Sequence, residues 1–161
     1  MSTAGMPSER ADAVSAAPWR IGAATAIGGC CGSLCRGGMQ WAMGAIGWPA
    51  WGAHIVANVL GAALVGVLFA WWSDRDPRGA PMGIPPRLRV REHLLVAGFL
   101  GGFTTVSGLA WDVVSLVEGG DVGPAMVALA VNGVLGIAAC AMAYRVSVRL
   151  RRPDGDAAST G

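Results

Sequence analysis

Four long apolar stretches, at approximately 21–46, 51–72, 93–117 and 122–144, constrain this chain more than any other feature. Crossing the hydrocarbon core of a bilayer takes about 20 mainly apolar residues of helix, and each stretch has that length. Only 14% of the 161 residues are charged, whereas a soluble domain carries about a quarter. Backbone groups in lipid must be paired within the structure, and no ten-residue segments of alternating polarity suggest a barrel. The sequence therefore predicts an all-α membrane protein, a domain of four transmembrane helices over 19–150. The flanks, 1–18 and 151–161, read as disordered tails, and the first has no apolar core of a signal peptide.

The breaks between stretches are equally legible. Gly47-Trp48-Pro49-Ala50 reads as a short breaker whose tryptophans suit the headgroup belt, making the first two helices a hairpin. Residues 73–92 form one substantial polar loop, and Glu118-Gly119-Gly120-Asp121 a tight turn. All twelve basic residues are arginine. Arg10, Arg20, Arg75, Arg78, Arg87, Arg89, Arg91, Arg145, Arg149, Arg151 and Arg152 fall in the tails and the long loop, and none in the two short turns. That asymmetry predicts one topology, multi-pass in the plasma membrane with both termini and the long loop cytoplasmic. A formal net charge of +2 gives no polyanion-binding surface, so nucleic acid is not expected as a partner. Cys30, Cys31, Cys35 and Cys140 lie in apolar stretches without metal-ligand spacing and read as small packing residues. Small residues four apart, Gly28 and Gly32 or Ala57 and Gly61, would let helix backbones approach closely.

Polar groups inside a span are costly and mark function by default. The short list is Arg36 and Gln40, His54 and Asn58, Thr104, Thr105, Ser107 and Asp112, and Asn132. His54 and Asn58, four apart, share a helix face and can present N–H donors, which favours an anion; an interhelical polar clamp is the plainer alternative. Arg36 either attracts anions or snorkels to a helix end. Asp112, beside Trp111, reads as a cap or pairing group near the far interface. In the third span, Gly101-Gly102 followed by Thr104-Thr105 is poor helix, so a break at mid-depth is expected, lining a cavity or exposing carbonyls to a small hard cation. A close-packed glycine-rich helix is the alternative. No acid and base pair, and no nucleophile with a base in reach, points to an enzyme.

These residues carry a resemblance. Gly98-Phe99-Leu100-Gly101-Gly102-Phe103-Thr104-Thr105-Val106-Ser107 resembles the third-helix signature of the Fluc (CrcB) fluoride channel family. Gly28-Gly29 through Arg36 is similar to its first-helix pattern, Asn58-Val59-Leu60-Gly61 to its second, and Val131-Asn132 to its fourth. The resemblance implies an antiparallel dimer of four-helix bundles with two narrow fluoride pathways. It also implies a central structural sodium ion held by backbone carbonyls of Gly101 and Thr104. Asn58 and Asn132 would line the pathway, with Thr105, Ser107 and His54 nearby. Such a lining suits fluoride, whose tight hydration shell has to be replaced by oriented N–H and O–H donors.

Where the family usually has two phenylalanines after Thr-Thr, this chain has Val106 and Leu109, which lack electropositive ring edges. His54 stands where threonine is common. A homodimer of opposed subunits also needs nearly balanced arginines, which this chain lacks. The expectation is a subunit that pairs with a homologous subunit of opposite orientation and conducts fluoride passively out of the cytoplasm. Two alternatives stay open. One is a non-conducting structural subunit of such a channel. The other is a small four-helix proton-coupled drug transporter, against which stands the absence of a carboxylate in the first span.

Overall fold

The computed structural model describes residues 18–73 and 89–151. All regular structure among them is helical: α1 (Pro18–Ala45), α2 (Ala50–Ser73), α3 (Arg89–Glu92), a π-helical segment (His93–Leu100), α4 (Gly101–Phe103), α5 (Val106–Glu118) and α6 (Val122–Arg151). Among the described residues, three stretches are long and apolar enough to cross a membrane, Ala50–Trp72, Val90–Glu118 and Val122–Arg151. The first, expected to span like the others, has the length at 28 residues, but its glycines, Ser33, Arg36 and Gln40 make it less apolar. Most of the long polar loop and both tails lie outside the described residues.

The short connections follow their sequences. After α1, Gly47 takes φ +80° and Trp48 donates its N–H to the Met43 carbonyl, closing the helix end before α2 starts at Ala50. After α5, Gly120 takes φ +86° while Asp121 N–H returns to Leu116 C=O, so a residue free of Cβ strain sits where the chain reverses. The last helix runs to Arg151, past residue 144 where the apolar stretch ends. Its last turn carries Arg149 and Arg151, which complement the negative end of the helix dipole.

The chain forms two compact units, one within Met1–Gly38 and Pro81–Phe103, the other within Met39–Ala80 and Thr104–Gly161. In the first unit, α1 and the π-helical segment run parallel with main chain against main chain. A Cβ on Gly28 would collide with the Leu94 carbonyl, and one on Gly32 with that of Phe99. From the other side, a Cβ on Gly98 would lie 2.7 Å from the Thr25 carbonyl, and one on Gly102 would strike the Gly29 carbonyl. The expected small-residue seam at Gly28 and Gly32 is thus matched by a second, Gly98 and Gly102, across from it. Phe99 and Phe103 stack at 5.9 Å along the same strip.

In the second unit, α2 and α6 run parallel. Asn58 meets Asn132, and a Cβ on Gly66 would meet the Cys140 carbonyl, both 74 positions apart. Ala57, Ala70, Ala125 and Ala128 are fully buried, so these helices approach through methyl groups. Ile55, Leu109 and Ala128 form the core, flanked by Trp51, Val59 and Val131. At the far end Arg151 stacks over Trp71, 5.8 Å from the ring centroid.

Candidate functional site

Between α4 and α5 the chain leaves helical geometry, and Thr105 is extended, with φ −151° and ψ 114°. Its peptide groups need partners away from water. Asn58 of α2 supplies both: Oδ1 accepts the Thr105 N–H at 2.7 Å, and Nδ2 donates to the Thr105 carbonyl at 3.1 Å. The other Nδ2 hydrogen goes to Asn132 Oδ1 of α6, at 3.0 Å. One side-chain amide thereby joins α2, α5 and α6, the polar clamp that sequence reasoning left as the plainer alternative. Thr105 also caps α5, its Oγ1 accepting the Gly108 N–H at 2.9 Å and lying 3.2 Å from Ser107 Oγ.

The clamp decides which donors remain for a solute. Both Nδ2 hydrogens of Asn58 are used. Among the described residues, the Asn132 amide N–H groups, one hydrogen of the Thr105 and Ser107 hydroxyl pair, and the Val106 and Ser107 N–H groups in the first turn of α5 are left. Those N–H groups stand at the positive end of a helix dipole, a favourable place for an anion. Val106 is 81% exposed and Ser107 is exposed, so this cluster opens on the surface of the second unit. The two positions that lack phenylalanine thus differ: Val106 faces outward, whereas Leu109 is 4% exposed in the core.

One turn before Asn58, His54 Nδ1 bonds Asp112 Oδ2 of α5. The pair is nearly buried, with side chains 14% and 8% exposed. Gly108 makes room for the ring: a Cβ there would lie 2.7 Å from His54 Nε2 and 2.8 Å from Cδ2. Sequence reasoning read Asp112 as a cap or pairing group near the far interface without naming its partner, and gave Gly108 no part. The signal that could have found the pair is that two ionisable residues within apolar spans need a partner, and each other is the economical one.

Of the two residues expected to offer carbonyls to sodium, Gly101 belongs to the first unit and Thr104 to the second. The Gly101 N–H points back to the Gly98 and Val96 carbonyls. The Thr105 N–H that would close a helical turn onto the Gly101 carbonyl is committed to Asn58. Ser33 Oγ reaches the Gly102 carbonyl at 3.4 Å, and Arg36 is half-buried. Among the described residues no group of three His, Cys, Asp or Glu side chains could hold a metal ion.

A protein-family model described as CrcB-like protein, Camphor Resistance (CrcB), matches residues 23–144. Similar curated proteins carry the name fluoride-specific ion channel FluC. One from Thermus thermophilus is 34% identical over 122 residues, covering 75% of this chain and 88% of that protein. One from Thermobifida fusca, FluC 2, is 37% identical over 115 residues, covering 71% and 78%. Another, from Maridesulfovibrio salexigens, is 34% identical over 118 residues, covering 70% and 83%.

Proposed function

The chain belongs to the CrcB-like family, and we propose that it is a fluoride channel subunit that lets the ion leave the cytoplasm passively. The observation that carries this is the donor cluster at the start of α5, built where Asn58 pins the extended Thr105. In this proposal the non-helical step lies at mid-membrane depth in an antiparallel dimer. Asn132, Thr105 and Ser107 exchange hydration water for oriented N–H and O–H groups as fluoride passes, and Asn58 holds the backbone that presents them. No chemical step is involved.

Sodium enters the proposal as a structural ion on the carbonyls of Gly101 and Thr104. Main-chain oxygen suits a hard cation.

The arginine asymmetry supports a heterodimer, because a chain with one strong orientation does not supply its own inverted partner. A homologous subunit of opposite orientation would contribute the aromatic edges missing at Val106 and Leu109. The test is fluoride-electrode efflux from liposomes carrying the purified chain alone or together with that subunit. Efflux is expected from the pair and not from the single chain. Robust efflux from the chain alone overturns the heterodimer, and none from either preparation overturns the channel.

A further inference from the structure

Resting on the channel reading above, we propose that the His54 and Asp112 pair is a proton site whose occupancy decides whether the imidazole offers an anion a donor. Nδ1 of His54 faces the Asp112 carboxylate, so a proton has to lie between them; a bare Nδ1 against a carboxylate would set two lone pairs together. When the pair holds that one proton only, Nε2 is bare and the pair carries a charge of −1. When it holds two, Nε2–H is present and the pair is neutral. This is so whether the shared proton lies nearer nitrogen or oxygen. Gaining the second proton therefore creates an N–H donor and removes a negative charge, and both changes favour a nearby anion.

The surroundings leave the pair alone to respond. Nε2 makes no hydrogen bond among the described residues and lies over Gly108, where only a hydrogen separates it from the backbone. Nothing else on α2 titrates, and on α5 the other acid, Glu118, is exposed at the far end. The part of α6 at this level, Ala125 to Asn132, has no titratable side chain; Cys140, Tyr144 and the arginines lie further along. The end of α1 that belongs to this unit, Met39 to Ala45, has none either. The Thr105 and Ser107 hydroxyls stand one helical turn or less from Gly108, so the imidazole edge extends the same donor cluster. Fluoride passage through this unit then weakens as pH rises.

Proton and anion occupancy are reciprocal, so fluoride has to raise the proton affinity of the pair. With only two histidines in the chain, the nitrogen resonances of imidazole-labelled full-length protein can be assigned by comparison with His54→Gln. In sodium fluoride the pH at which His54 Nε2 loses its proton is expected to move upward by about one pH unit relative to sodium chloride, the mark of about tenfold tighter binding to the two-proton pair. The neutral ring is expected to carry its proton on Nδ1. No fluoride-dependent movement, or a neutral ring protonated on Nε2, overturns the proposal. Efflux from the conducting preparation, followed from about pH 5.5 to about pH 8.5, is expected to fall about tenfold with rising pH after subtraction of protein-free vesicles. His54→Gln, a donor at every pH, is expected to flatten that profile. Efflux without the resonance movement overturns the proton site and leaves the channel standing. Absence of efflux throughout that range overturns the channel reading itself.

Discussion

Replacing Asn58 by alanine takes from the Thr105 N–H its partner in apolar surroundings, at about 1–3 kcal/mol, and removes one of the bonds to the Thr105 carbonyl. Asn58→Ala is therefore expected to lower the unfolding midpoint in detergent markedly and to abolish fluoride efflux. Asn58→Asp keeps the acceptor but loses both donors, and should fare no better. Val106 and Leu109 separate two effects that their sequence positions suggest are equivalent. Val106→Phe adds a ring on an exposed face and is expected to leave stability within about 0.5 kcal/mol. Leu109→Phe enlarges a side chain packed among Ile55 and Ala128, at about 1–3 kcal/mol. Thermal unfolding of the two variants in parallel distinguishes them, and an equal loss in both would contradict the burial of Leu109. Single residues were the least legible scale. Asn58 and Asn132 stood out as polar groups in apolar helices, but that Asn58 spends its donors on protein depends on how α2 registers against α5, which no local pattern encodes. The same register pairs His54 with Asp112.

Elements were read more successfully because hydropathy and turn chemistry are local. All four helical stretches begin, and both glycine-bearing turns lie, within a few residues of where the sequence puts them, while the last helix runs on past residue 144 to Arg151. The π-helical segment was not foreseen; its Leu94 and Phe99 main chain lies against α1. The parallel seam of Gly28 and Gly32 against Gly98 and Gly102 leaves no volume for a side chain. Gly32→Leu is expected to drive α1 from the π-helical segment and remove monodisperse protein from size exclusion in detergent. Gly22→Leu, where a Cβ meets nothing within 4 Å, should behave as the parent does.

For the whole molecule, the arginines make the strongest statement. A cysteine-labelling scan with reporters at each terminus and at Trp48 and Gly120 is expected to find both termini reactive from one side of the membrane and both turns from the other. Mixed labelling at any site would remove the case for a fixed-orientation subunit. The family was legible from the sequence because its motifs run through every helical stretch in order. Assembly was not.

The grip on Thr105 is made entirely through main-chain atoms, and so it is indifferent to which side chains flank the bend. A lineage carrying Asn58 can exchange its neighbouring aromatics for aliphatics and still inherit the same kink. That tolerance separates the geometry of the bend from the chemistry of the side chains beside it.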